Sequence, residues 1–552
     1  MQKTGKLELT WVGKYDEVAV EPRILIEDLS KSYGDPNSEN MLIHGDNLIA
    51  LQALQQDYAG KIKCIYIDPP YNTGTAFEHY DDNLAHSIWL TLMRQRLILL
   101  WQLLTEDGLL AIQIDDNEFA RLYLLLCEVC LEKNLKVICV KMSEATGVKM
   151  ASVNKAGSIP KLKEYIILAK KDGIKNLSLE RVAKEKWDQE YKTYCSGISD
   201  EELERVKEIL NDEERTEEDI AYVDSVMSNV KFTNMNDVAI SQTGKSATEE
   251  WCFNNAGRIV QFATLTGGAR DLAIAKKQSY GDKLPGAFAI QTKQGKMYVI
   301  RGDFNTETNL SRCKILFADQ YLTVNPGDLW TDIKTTGLDN EGCVDFQKSK
   351  KPERLIRRII RLNTQPNDIV LDSFLGSGTT AAVAHKMGRR WIGIEMGDHA
   401  YSHCKVRLDK VISGEDQGGI SKSVNWQGGG GYKFYELAPS LLVKNPVLPV
   451  YQINPEYTFE MLCEAICKIE GFRYKVDGVY HGYSSEKRFI HITKEFINAE
   501  YIKTVAATLG EDQSLLIYGT KIQSGLRLPD NIEVKKIPKD LLEKCTFESE
   551  VR

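Results

Sequence analysis

The sequence predicts an α/β fold on a parallel sheet, and three stretches predict it. A short apolar run, Cys64-Ile65-Tyr66-Ile67, stops at Asp68-Pro69-Pro70-Tyr71. A second run, Ile369-Val370-Leu371, passes through Asp372 into a glycine turn, Gly376-Ser377-Gly378, and a helix. Between them strand and helix patterns alternate to about residue 170, break, and resume near Pro326. A βαβ sheet carrying an insertion has this rhythm.

Composition sets the outer limits. With 552 residues the chain has room for several domains, and its net charge of −8 argues against non-specific adhesion to polyanions. A basic groove on an acidic body remains compatible with that charge. The 12 cysteines form no framework, which fits reduced thiols and a cytoplasmic location. Cys127 and Cys130 make one C-x-x-C on an apolar helix (Leu122 to Leu131) without a second pair, so they read as buried thiols and no metal site is expected. Met1 to Lys6 has no apolar signal core, and the apolar stretch Ile88 to Leu104 is interrupted by Arg94, Gln95 and Arg96. No membrane segment is expected.

Residues 1–40 read as an extension with weak strands at Leu7 to Val12 and Ile24 to Ile26 and a turn at Gly34-Asp35-Pro36-Asn37. Residues 41–170 form the first half of the main domain. Met41 to His44 is a strand ending in Gly45-Asp46-Asn47, with a helix over Leu48 to Leu54. Asp46 reads as a helix N-cap or as an acceptor for a ligand amino group. The Asp68 strand must stop where it does, because neither proline can donate to a ladder. The stiff loop then presents the Asp68 carboxylate, the Pro69 carbonyl and the Tyr71 ring at the sheet edge where α/β folds bind ligands. A proline-stiffened turn with a capping acid is the plain alternative. A helix (Leu84 to Leu104), a strand (Leu109 to Ile114) ending in the helix-capping acids Asp115-Asp116, and a strand at Tyr165 to Leu168 follow.

Residues 171–325 read as an insertion. Glu201 to Ser228 is acidic, helical and expected to be a solvated face. An irregular region with Arg258, Gly267-Gly268-Ala269-Arg270, Lys276-Lys277 and Lys293 leads to a strand at Lys296 to Arg301. Basic residues among aromatics suit reading of DNA, and a generic α+β insert would look similar. Ala239 to Ser246 ends like a phosphate loop but starts on alanine, with no clear buried strand leading in. Residues 326–436 return to the sheet. There Pro352 to Ile360 opens a helix with proline first, whose arginines form a solvated side or contact phosphates. After the glycine turn the helix closes at Gly388, and Trp391 to Glu395 is a strand ending in an acid. Residues 437–552 hold helices (Phe459 to Ile469, Ala499 to Leu509) and strands (Arg488 to Ile492, Leu515 to Tyr518), a small α/β domain offering partner or dimer contacts.

The Asp68 loop suits one chemistry. An exocyclic amino group on a base is a poor nucleophile because its lone pair is delocalised into the ring. Two fixed acceptors, Asp68 and the Pro69 carbonyl, would bind its N–H groups, favour a tetrahedral nitrogen and stabilise the positive charge that develops. Tyr71 would stack on the base, worth about 1–3 kcal/mol.

Asp68-Pro69-Pro70-Tyr71 resembles the catalytic loop of amino-group DNA methyltransferases, in the form typical of adenine N6 enzymes. Catalytic loop, insertion, then glycine loop is similar to the β arrangement of these enzymes, a circularly permuted Rossmann-like fold with target recognition between the halves. The likeness covers roughly residues 7 to 436. It takes in Trp11-Val12-Gly13-Lys14, Gly45-Asp46-Asn47-Leu48, Lys141 to Met150, Pro160 to Tyr165, Leu329-Trp330-Thr331-Asp332 and Gly429 to Tyr435. Together these resemble modification subunits of type III restriction–modification systems.

The resemblance implies S-adenosylmethionine as cofactor and double-stranded DNA as substrate. It implies Asp68, Pro69 and Tyr71 in the reaction with Pro70 shaping the loop. Asp46, Asp372, Phe374, Gly376, Gly378, Thr379 and Glu395 would hold the cofactor, with Lys351 and Pro352 at its methionine end. A homodimer and a separate restriction (helicase–nuclease) subunit are the partners expected, since no helicase or nuclease motif set is present. The glycine run also fits the dinucleotide fingerprint. Asp372 favours S-adenosylmethionine, because it suits an ammonium and would repel a pyrophosphate. The alternatives are an orphan DNA adenine methyltransferase, an RNA or protein-amide methyltransferase, and a non-catalytic nucleotide-binding assembly protein.

Overall fold

The computed structural model describes residues 8–15, 21, 23–72, 85–143, 159–212, 215–308, 310–335, 338–344 and 350–542, with residue 339 as backbone only. Two compact units emerge, Arg181–Pro326 and a second made of Met1–Glu180 with Gly327–Arg552. In the larger unit ten strands are labelled: β1 (Leu25–Glu27), β2 (Met41–His44), β3 (Ile62–Ile67), β4 (Leu104–Ile114), β5 (Leu135–Lys141), β6 (Lys163–Lys170), β7 (Leu329–Trp330), β8 (Ile369–Asp372), β9 (Arg390–Glu395) and β10 (Gly431–Leu437). They lie in the order β1-β10-β2-β9-β8-β3-β4-β6-β5-β7, and a short strand, Tyr33–Gly34, pairs with β10. Among the described residues six helices serve this sheet: α1 (Asn47–Tyr58), α2 (His86–Leu103), α3 (Phe119–Val129), α4 (Glu353–Arg361), α5 (Thr379–Lys386) and α6 (Val406–Ser413).

The central strands read as unbroken apolar runs because both faces are covered. Leu42, Cys64, Tyr66, Leu109 and Val370 belong to one buried layer; Ile43, Ile65, Ile67, Leu110 and Leu371 belong to the other. From β10 to β4 every pairing is parallel. Strand β8 pairs with β3, so residues around 65 and 371 sit side by side although about 300 positions apart in the chain. That seam is the switch point, from which the strand order grows outward in both directions.

The sheet is not wholly parallel. Strand β6 runs antiparallel to both β4 and β5, and β1 runs antiparallel to β10. An apolar run reads the same in either direction, so the pattern of Tyr165 to Leu168 carried no sign of this. Several local expectations also change. The described part of Leu7 to Val12 is coil and turn, not strand. Helix α4 starts at Glu353, with Pro352 as its N-cap residue. Asp115 caps no helix: its buried carboxylate accepts from the Asn117 amide and pairs with Lys161, while Asp116 pairs with Lys163. Cys130 follows α3 as its C-cap, buried, with Cys127 half-buried on the helix.

The smaller unit is more regular than its sequence suggests. Glu201 to Ser228 becomes two helices, Asp200–Asn211 and Glu217–Ser228, each opened by a capping box and each burying an apolar stripe. Gly267 to Ser279 is a helix beside a six-stranded sheet that includes Ile259–Thr264, Ala287–Gln291 and Met297–Arg301. Gly244-Lys245-Ser246 follows a helix, Met235–Thr243, with Gly244 as its left-handed cap, whereas a phosphate loop would open one. Beyond β10 the larger unit carries a five-stranded sheet, Arg473–Asp477 through Ile532–Lys536, with a helix at Phe459–Ile469. Among the described residues no helix is long and apolar enough to cross a membrane, and no cluster of His, Cys, Asp and Glu could hold a metal ion.

Candidate active site

Strand β3 delivers Asp68 to the carboxyl edge of the sheet, and β8 delivers Asp372 beside it. The Asp68 carboxylate raises the proton affinity of Asp372, and both acids raise that of the buried Tyr66, so they share one pocket of potential. The loop after β3 is held from outside: the Trp89 indole N–H of α2 donates to the Pro70 carbonyl at 2.8 Å. Asn72 takes a left-handed φ of 58° and anchors its amide on Glu118 at 2.7 Å. No described backbone or side-chain group donates to the Pro69 carbonyl.

Three side chains gather at Asp68. The Tyr71 hydroxyl lies 2.7 Å from Asp68 Oδ1 and 2.8 Å from Glu164 Oε2. Lys351 Nζ donates to the same hydroxyl oxygen at 2.8 Å, and lies 3.1 Å from Asp68 Oδ2 and 3.3 Å from Glu164 Oε2. Behind Glu164, the Gln113 amide donates to Oε2, and Tyr66 donates to Gln113 at 2.6 Å. Burial holds the Asp68 carboxyl above the usual carboxylate range, and the charge of Lys351 offsets this only in part. Glu164 is desolvated too, yet Lys351, Gln113 and Tyr71 together hold it below that range. Lys351 itself is raised by the two acids despite its burial. The lysine expected at the cofactor's methionine end thus belongs to the Asp68 cluster. Glu164 and Gln113 were not singled out from sequence. Glu164 is the second residue of β6, and the antiparallel register opposite Val140 brings it here.

The glycine turn lies between β8 and α5. Gly376 and Gly378 take φ of 58° and 80°, and a Cβ on Gly376 would meet nothing closer than the Phe374 carbonyl at 3.9 Å. The turn's outer side is open to a ligand, while Gly378 packs tightly on Cys404. Glu395 Oε2 accepts from the Gly376 amide at 2.7 Å, and Oε1 from the Met396 and Gly397 amides at 2.8 and 3.2 Å. Asp372 accepts from the Phe374 amide and from Thr380, and burial pushes it up to about 7. Phe374 is buried next to it. Thr379 turns its hydroxyl to Arg407 at 2.7 Å, inside the protein. Asp46 caps α1 through the Leu48 and Ile49 amides and pairs with Arg96 at 3.2 Å. From the start of α1, Asn47 donates to the Ser373 carbonyl after β8 at 2.7 Å. Three of the four arginines of α4 are paired: Arg357 and Arg361 with Glu180, Arg358 with Asp332. Residues 144–150 of the likeness at Lys141 to Met150 lie outside the described residues.

A doubly wound sheet with a glycine cradle on one central strand and a proline-stiffened acid on the next defines a Rossmann-like protein of the methyltransferase class. A family model for DNA methylases matches residues 62–405, and the chain belongs to that family. It is 34% identical over 463 residues to a probable type III restriction-modification enzyme HindVI Mod subunit of Haemophilus influenzae, spanning 82% of this chain and 61% of that one. It is 28% identical over 425 residues to the type III restriction-modification enzyme EcoPI Mod subunit of Escherichia phage P1, spanning 68% and 60%. The chain therefore spans about three fifths of the length of these relatives.

Proposed function

We propose that the chain moves a methyl group from S-adenosylmethionine to adenine N6 in double-stranded DNA, as the modification subunit of a type III restriction–modification system. One observation carries this reading: the Asp68 loop and the Gly376–Gly378 cradle occupy adjacent parallel strands at one sheet edge, so one substrate pair can bridge them. The residues suit the cofactor. The cradle is open at Gly376, the Ser373 hydroxyl is buried without a partner, and Asp372 offers a carboxylate for an ammonium. Bound there, the cofactor supplies an electrophilic methyl group on a sulfonium.

The protein's own groups do the rest. Adenine must leave the duplex, because its amino group is otherwise paired, and unstacking costs a few kcal/mol. The Tyr71 ring receives the base. Asp68 and the Pro69 carbonyl accept its two N–H groups and turn the nitrogen lone pair toward the cradle. Burial strengthens both contacts and excludes water. Phe374 and Glu395 shape the cradle, Glu395 by holding the Gly376 amide. The unit Arg181–Pro326 would read the target, a restriction subunit would supply cleavage, and two copies of the chain would pair.

Single-molecule sequencing of DNA from cells expressing the chain tests this. N6-methyladenine at one recurring sequence, absent with Asp68→Ala, is expected. Unmodified DNA with the folded protein present would end the proposal.

A further inference from the structure

The Asp68 cluster holds one hydrogen more than its ordinary charges supply. A phenol has one hydrogen and Lys351 already donates to its oxygen. Two carboxylate oxygens lie 2.7 and 2.8 Å from that oxygen, both ordinary two-centre hydrogen-bond lengths. The phenol can donate to one of them. The other must donate back, or two lone pairs would face each other in a buried site. Glu164 Oε2 also receives Gln113 and Lys351, so it is the ionised acceptor. Asp68 Oδ1 has the phenol as its described hydrogen-bond partner, so it carries the hydrogen.

We infer that Asp68, Tyr71 and Glu164 form a proton relay, in which Glu164, acting through Tyr71, takes up the proton that methyl transfer releases to Asp68. The inference rests on the function proposed above. As the amine nitrogen bonds to the methyl carbon, the carbon–sulfur bond breaks and its electron pair stays on sulfur. The nitrogen, now positively charged, loses one hydrogen to the Asp68 carboxylate. Asp68 passes a proton to the Tyr71 oxygen as the phenol hydrogen moves to Glu164 Oε2. Glu164, whose side chain is 19% exposed, returns it to water. Between turnovers the extra hydrogen argued from these distances rests on Asp68, before that last exchange. Lys351 contacts all three side chains, Asp68 through Oδ2, and keeps the relay near one net negative charge. The directions of the two acids agree, Asp68 raised and Glu164 lowered. Among the described residues, the other titratable groups facing the relay are Tyr66 and Asp372.

Glu164 is a positioning residue, and its test separates a relay from a scaffold. In Glu164→Gln the relay has no terminus, so the plateau of kcat on a duplex carrying the methylated sequence should fall at least about tenfold, with KM for DNA within about twofold. Loss of the neighbouring negative charge also lowers the proton affinity of Asp68, so the acid limb of the pH–rate profile should move to lower pH. A plateau within about twofold of wild type, or a fall with an unmoved acid limb, overturns the relay. Tyr71→Phe keeps the ring and deletes the hydrogen carrier; it should lower the plateau comparably while 2-aminopurine at the target still reports a flipped base. A Tyr71→Phe plateau equal to wild type overturns it as well. An infrared difference spectrum, wild type minus Asp68→Asn, needs no turnover. A protonated-carboxyl band at neutral pH is expected, and its absence overturns the relay. Failure of wild type to methylate any DNA would instead strike the proposed function.

Discussion

Lys351 touches Tyr71, Asp68 and Glu164 with one ammonium, and its removal should be read in pH rather than in stability alone. It lowers the proton affinity of Asp68. In Lys351→Met the acid limb of methyl transfer should therefore move to higher pH, and pH–rate profiles of the two proteins check it. Asp372 predicts a different slope. Its folded value of about 7 lies above the ordinary 3.8, so its contribution to stability is complete below pH 3.8 and is lost as pH rises through 7. Thermal melts of Asp372→Asn and wild type should separate as pH rises from about 4 to 7 and stay apart above it, the variant becoming the more stable of the two by up to several kcal/mol. Asp68 and Asp372 were legible because each ends an apolar run at a proline or glycine signal. Glu164 was not, because it enters the cluster through strand direction, and side-chain alternation carries no arrow. For Lys351 the resemblance implied only a place at the cofactor's methionine end; its contacts with Asp68, Tyr71 and Glu164 needed the fold, because the sequence does not say which loop the start of α4 faces.

Helix α4 owes its position to charges with no access to water. Glu353 in its first turn accepts from Lys386 at 3.0 Å and from Arg407 at 2.7 Å, and Lys386 also meets Asp416 at 2.8 Å; all four side chains are fully buried. Two acids and two bases balance, but deleting one strands its partners. Glu353→Gln should cost about 3–5 kcal/mol in denaturant unfolding. It should also lower methyl transfer in whatever fraction stays folded, since Lys351 stands two residues ahead of the freed end. The helix itself was readable from Pro352-Glu353 and its apolar stripe, with an error of one residue at its start. The tetrad was not, because Lys386, Arg407 and Asp416 look like ordinary surface charges in a one-dimensional pattern.

At the scale of the whole chain, a net charge of −8 must coexist with binding to a polyanion under the proposed function. Attraction then has to come from local basic contacts with phosphates. Log affinity for a duplex should fall linearly with log salt, by about 0.9 for each phosphate neutralised, and titrations by fluorescence anisotropy give the slope. A flat response would remove duplex DNA as the ligand. The two-unit division follows a break in strand–helix rhythm that the sequence displays, and the compact unit runs Arg181–Pro326 where the rhythm suggests 171–325. One further consequence comes from the reversed course of β6. Because β5 ascends and β6 descends, Met142 at the end of one and Leu162 at the start of the other, joined by a 2.8 Å hydrogen bond, both stand at the rim where Asp68 stands. Substitutions at those two strand ends would therefore be felt first at the Asp68 cluster, which makes them a natural place for descendants of this chain to retune that edge while leaving the scaffold alone.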